Sequence, residues 1–386
     1  SGLSLPVAAA VPALFARALL AAPEGDRVLV LLQLTGGNDG LNAVVPFEDD
    51  AYHRARPGIG VRADQVIRLG GGVGLNPALA GLREAWDAGA LAVLQGVGYP
   101  NPNRSHFAST DIWHTARTEV PERWTGWIGR ALDRCCGADA TVPGLQLDDG
   151  PLSLALVGER VVVPAVSDAD RFRVLGGERA SEMLPRLLEG PEGCPTRELV
   201  RQSARQAYRT SAALEGALKE RRGLDAYPQS TLASRLWQVA RLVEARLPAR
   251  VYAVSLAGFD THSRQRAAHD ALLKVAGDAV GAFHKDLRAR GLADRVLLVT
   301  YSEFGRRVAE NRSLGTDHGA AAPMFVVGGA VKGGVHGAHP SLAELEEGDL
   351  KHHTDFRGVY ATILHRWIGV EPGDVLRGDF PRVPFL

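Results

Sequence analysis

Five short runs of continuous apolar, largely β-branched character punctuate the chain. They are "RVLVLLQL" (27–34), "LAVLQGV" (91–97), "RVYAVSLAG" (250–258), "RVLLVTYS" (295–302) and "APMFVVGG" (322–329). None alternates apolar with polar positions, so each predicts a strand buried on both faces. Helical spacing fills most of the intervals. "NPALAGLREAWDAG" precedes the second run, and "SRQRAAHDALLKVAGDAVGAFHKDLRARG" leads to the fourth, ending on a glycine suited to a helix C-terminus. "TDFRGVYATILHRWIG" reads as a late helix with Thr354 or Asp355 as its N-cap. Strand–helix alternation of this kind predicts an α/β fold with a mostly parallel sheet.

Residues 140–248 break the rhythm. "GLQLDD", "LSLALVG" and "RVVVPAVSD" read as short strands, and Arg/Glu/Leu-rich helical patterns run from about Ser181 to Leu247. We take this stretch as an insertion or cap within one domain spanning 25–386, a reasonable size for a chain of 386 residues. Residues 1–24 are rich in Ala and Leu, and "ARALLAA" has the small residues of a signal-peptide cleavage site. The reading is a signal-peptide remnant or N-terminal helix, with the protein periplasmic or secreted. Two prolines and Arg17 argue against a membrane span there.

Charge narrows the partners. Lys+Arg and Asp+Glu are balanced at 44 each, and no basic tract stands out, so neither nucleic acid nor an anionic membrane is an expected partner. The three cysteines, Cys135, Cys136 and Cys194, do not have zinc-cluster spacing. They read as small core residues, or in an exported protein as one disulfide from Cys194 to either member of the adjacent pair.

In open α/β sheets, ligands bind beyond the carboxyl ends of the strands. Asp39 follows the first run, in "TGGNDGLN". Ser105 and His106 follow the second, after "GYPNPNR". Asp260 and His262 follow the third, and Glu303 follows the fourth. The segment 305–319 is polar and lacks the apolar face of a crossover helix, which predicts an antiparallel return of "APMFVVGG". That return brings His318 to the same edge. Taken singly, Ser105 reads as a helix N-cap, Asp39 as a turn cap and Glu303 as a partner of Arg306. Taken together, three carboxylates at one edge call for cations. With two histidines they suit Zn²⁺ or Mn²⁺, less well Ca²⁺ or Mg²⁺. One or two such ions would activate Ser105 as a nucleophile, with His106 as general acid or ligand. Asn38, Arg104 and Arg306 are the candidate residues for binding a small anionic ester substrate; Lys332 is a weaker one.

As a set, "LTGGNDGLN", "NPNRSHF", "GFDTH", "SEFGRR" and "GTDHGAAAPMFVVGG" resemble a bacterial family of unknown function, often exported by the twin-arginine route and similar to the alkaline phosphatase/sulfatase superfamily. The resemblance implies a three-layer α/β/α sandwich with a mostly parallel sheet and at least one antiparallel strand. It also implies metal-assisted hydrolysis of phosphate or sulfate esters through a serine. By position, Asp39 matches the acid of the nucleophile-side metal, Ser105 the nucleophile, Asp260 and His262 the second metal's acid and histidine, Glu303 the acid of an Asp-His pair, and His318 the last histidine ligand. Two departures stand out. Phe304 replaces the histidine of that pair, and "HFAS" after Ser105 lacks the formylglycine signature of a standard sulfatase. The alternative reading is a non-catalytic exported binding or assembly protein that keeps the fold.

Overall fold

The computed structural model describes residues 26–121, 123–136, 142–167 and 222–386, with Ser211, Leu214 and Leu218. The signal-peptide expectation, Cys194 and much of the expected 140–248 insertion lie outside these residues. Cys135 and Cys136 are free thiols, with their sulfurs 3.4 Å apart.

All five apolar runs are strands of one sheet. In chain order its members are β1 (Val28–Thr35), β2 (Leu91–Gly98), β3 (Gly144–Leu147), β4 (Ala165–Val166), β5 (Val251–Ala257), β6 (Val296–Tyr301), β7 (Ala322–Val327), β8 (Gly334–His336) and β9 (Thr354–Asp355). Across the sheet the order is β8-β2-β7-β6-β1-β5-β3-β4, and β9 also pairs with β2. The core β6-β1-β5-β3 is parallel. β7 runs antiparallel to both β6 and β2, as the polar connection before it predicts. "GLQL" and the "AV" of "RVVVPAVSD" extend the sheet at one edge, whereas "LSLALVG" supplies a single 3₁₀ turn, Leu154–Leu156. β8 and β9 are too short to give a periodic signal.

Helices cover both faces. Val28, Val30, Leu32 and Leu34 of β1 join one core with Leu236 and Trp237 of α3 (Thr231–Glu244) and Phe283 of α4 (Gln265–Ala289). The intervening Leu29 and Leu31 join a second core with Trp113 of α1 (His106–Thr115), Trp127 of α2 (Trp127–Cys135) and Tyr360 of α5 (Phe356–Ile363). Successive side chains of a strand point to opposite faces, so continuous hydrophobicity is the requirement of a three-layer α/β/α arrangement. Asp355 caps α5 by accepting from the Arg357 amide at 2.9 Å. Gly291, at φ +68°, follows the end of α4 in the left-handed conformation expected of it.

The register places the site. Thr35 pairs with Ala257, and Gln33 with Tyr301, so β1, β5 and β6 end side by side. Ala322 at the start of β7 pairs with Val97 near the end of β2. An isolated bridge between Arg306 and His318 closes the polar return. Among the described residues, no helix is long and apolar enough to cross a membrane.

Two buried histidines belong to the fold. Burial pushes His114, which pairs with Gln33 and Tyr301, down to about 4, and does the same to His269. Unfolded imidazoles titrate near 6.5. Between roughly pH 6.5 and 4 the unfolded chain therefore takes up protons that the folded chain refuses, and stability falls as pH falls. The expected loss over that window is up to ~3 kcal/mol per ring. Urea melts at pH 7 and pH 4.5 should show it, and His114→Gln should flatten the dependence. An identical profile in that variant would contradict the assignment.

Candidate functional site

At the shared edge, three imidazoles surround one carboxylate. Asp260, two residues past Gly258, places Oδ1 3.0 Å from His262 Nε2 and 3.2 Å from His318 Nε2. Its Oδ2 lies 3.4 Å from His106 Nε2. The Nε2 atoms of His262 and His318 are 3.0 Å apart. His106, Asp260 and His318 each offer a ligand atom, all within 4.8 Å of one another.

Each ring is held from behind by its other nitrogen. His106 Nδ1–H donates to Glu303 Oε1 at 2.9 Å, and His318 Nδ1–H donates to the Arg104 carbonyl at 2.8 Å. His262 Nδ1–H reaches Asp317 Oδ1 at 3.4 Å. Carboxylates and carbonyls cannot donate, so Nδ1 carries a proton in each ring, and in the neutral imidazoles that a metal requires the Nε2 lone pairs are aimed inward. In that state the lone pairs of His262 and His318 face each other and the Asp260 carboxylate, a repulsion that a cation or a proton among them relieves. Donors of a tetrahedral Zn²⁺ at bonds of about 2.0–2.1 Å sit about 3.3 Å apart. The separations of 3.0–3.2 Å among Asp260 Oδ1, His262 and His318 match that spacing. A metal-binding histidine whose second nitrogen is tied to an oxygen is the usual arrangement. The residues present therefore fit a divalent ion.

Asp260 is electrostatically prepared for this. Burial alone would raise its carboxyl, but Arg306, through its hydrogen bond and its charge, holds it at about 2. Phe304 is buried, its ring centroid 4.9 Å from that of His106 and 4.4 Å from that of His318. It fixes ring planes where the resemblance implies a ligand. The loops beneath are close. Gly36, at φ +120°, donates its amide to Glu303 Oε1 at 2.8 Å, and a Cβ there would overlap the Asp260 amide.

Ser105 adjoins this cluster through both chain neighbours, Arg104 and His106. It is the exposed N-cap residue of α1, and its hydroxyl makes no capping bond. Its amide instead donates to Asn103 Oδ1 at 2.8 Å.

The other expected site residues have other partners. Asp39 is buried in an ion pair with Arg56 at 2.6 Å, accepts from Gln265 and from the Asn42 amide, and caps the short helix Gly40–Ala43. Burial would raise its carboxyl, but Arg56 holds it below the ordinary value. Asn38 is also buried, with Oδ1 2.9 Å from His269 Nε2. Glu303 does not pair with Arg306 and stands behind His106 instead. Arg306 is not presented to a substrate. Its guanidinium is spent on Asp260 and on the carbonyls of Gly36, Gly37, Phe259 and Thr316, stitching three strand ends together. Arg104 is paired with Asp349 and Glu347. Sequence reasoning did not single out Arg56, which sits among other arginines in "YHRAR", or Gln265. Asp317, beside His318 in "TDHG", carried the one visible hint.

Several solved structures show limited similarity. Ps i-CgsB is 12% identical with a TM-score of 0.40, covering 91% of this chain and 74% of that chain. PsFucS1 sulfatase from Pseudoalteromonas sp. is 12% identical with a TM-score of 0.40, covering 89% and 68%. The lipoteichoic acid synthase LtaP from Listeria monocytogenes is 11% identical with a TM-score of 0.39, covering 92% and 77%. No curated protein matches the chain. A family model matches residues 85–376, a span that runs from just before β2 past α5 and includes Ser105, all three imidazoles and Asp260, and the chain belongs to that family, the proteins of unknown function DUF1501.

Proposed function

We propose that the protein is a metal-dependent hydrolase of phosphate or sulfate esters with Ser105 as its nucleophile. The observation that carries this reading is the convergence of His106, His262 and His318 Nε2 on Asp260, each ring braced from behind, with Ser105 next to His106 in the chain and its hydroxyl free of a capping bond. A bound divalent ion would supply positive charge to polarise the ester and to favour the deprotonated hydroxyl. The chain's own residues do the rest. Glu303, the Arg104 carbonyl and Asp317 hold the rings, Phe304 sets their planes, and the first amides of α1 offer hydrogen bonds to the ester's anionic oxygens.

One observation favours a second reading, a non-catalytic protein that retains a single ion. Asp39, which would complete another metal, is neutralised by Arg56. Metal content and turnover separate the two. Dialysed protein is expected to bind about one Zn²⁺ or Mn²⁺ per chain by elemental analysis. Asp260→Ala and His318→Ala should each lower affinity at least a hundredfold, and Glu303→Gln about tenfold through His106. Metal retention without hydrolysis of any aryl phosphate, phosphodiester or sulfate would favour the non-catalytic reading. Failure to bind any divalent ion would remove both.

A further inference from the structure

An open cleft of about 450 Å³ begins at His106, Asp260 and Glu303 and extends away from them. Thr35, Phe107, Thr110, Asp111, Ala257 and Gly258 form its remaining lining, which is mostly apolar. Phe107 is 86% exposed, although it follows His106 directly and lies one turn from Asp111 on α1. Large apolar side chains this exposed are few among the described residues, and this one borders the candidate metal site. A lone exposed aromatic ring needs no explanation in general. One forming the wall of a cavity that is continuous with a polar centre is different, because clefts of this size and make-up hold small molecules.

We infer that this cleft receives the alcohol portion of the ester, and that this portion carries an aromatic or sugar ring lying against Phe107. The inference rests on the hydrolase reading and names its substrate class. The anionic group would be anchored by a divalent ion held at His106, Asp260 and His318, which leaves the ester's organic part only the directions open from that point. The cleft is an opening that His106 and Asp260 themselves line. Its chemistry is divided. Phe107, Ala257 and Gly258 present carbon to a flat face. Asp111, whose carboxylate has no partner among the described residues, and the Thr35 and Thr110 hydroxyls present acceptors to ring hydroxyls. The volume exceeds that of a single methyl or ethyl group several-fold, so a short alcohol would leave the Phe107 face wet.

Calorimetry on the full chain titrated with Zn²⁺ tests this without requiring turnover. Three probes differ only in the organic part: methylphosphonate, phenylphosphonate, and the phosphonate analogue of glucose 6-phosphate. At least one ring-bearing probe is expected to bind about tenfold or more tightly than methylphosphonate. Phe107→Ala should erase that advantage and Phe107→Tyr should keep it. Asp111→Asn should weaken the sugar probe alone, which tells a sugar ring from an aryl ring. Phe107 is outside the core, so these variants should fold, and unchanged Zn²⁺ stoichiometry verifies it. Ring probes that bind no better than methylphosphonate, or an advantage that survives Phe107→Ala, would overturn the cleft assignment and leave the hydrolase reading standing. If no phosphonate binds, methylphosphonate included, the anion site itself is wrong, and the hydrolase reading and the cleft assignment fall together.

Discussion

Ser105→Ala should reduce ester hydrolysis by three or more powers of ten while Zn²⁺ stoichiometry and the unfolding midpoint stay at wild-type values. The size follows from removing a committed nucleophile, a loss other groups do not replace. The selectivity follows from the structure. The Ser105 hydroxyl makes no capping bond to α1, the residue is exposed, and none of the imidazole contacts runs through its side chain. Replacing an N-cap serine by alanine usually costs about 1 kcal/mol, but here there is no capping hydrogen bond to lose. The assay is a panel of aryl phosphate, phosphodiester and sulfate esters with each metal, run on both proteins. Activity that persists in Ser105→Ala would refute the serine as nucleophile and move the attack to a water molecule.

The second large effect is on stability. Arg56→Met should destabilise the fold by about 3–5 kcal/mol, because it leaves the Asp39 carboxylate buried without its partner. Arg56 and Asp39 have no exposed side-chain surface, and Arg56 also donates to Asn42 Oδ1 and to the carbonyls of Arg307 and Val308. Those carbonyls belong to the polar return that carries His318, so one guanidinium ties the first loop to the lip of the site. Asp39→Ala, by contrast, is expected to lower the unfolding midpoint without changing how many divalent ions the folded protein holds. Urea titrations with parallel metal analysis test both. An Asp39→Ala protein that folds normally but loses its ion would restore Asp39 to the metal set and overturn the structural role given to it here.

The sequence by itself determined the sheet and the edge at which the chemistry gathers. Short, β-branched, unbroken apolar runs between helical patterns suit strands buried on both faces, and a polar connection without an apolar face does not suit a crossover helix. From those two facts follow the parallel core, the antiparallel β7 and the approach of Asp260, His262 and His318. The roles within the edge were not legible. Asp39 and Asp260 each follow a strand in a glycine-containing turn, and nothing local tells them apart. Both pair with an arginine, Asp39 with Arg56 and Asp260 with Arg306; what separates them is that Asp39 is fully buried with its partner whereas Asp260 stays half-exposed and faces three imidazoles. Glu303 likewise reads as a ligand until His106 Nδ1 is seen to stand in front of it. Ligand, brace and buried ion pair use the same residue types. The assignment depends on which oxygen faces which nitrogen across hundreds of residues of chain, a matter of tertiary packing that periodicity and spacing do not encode.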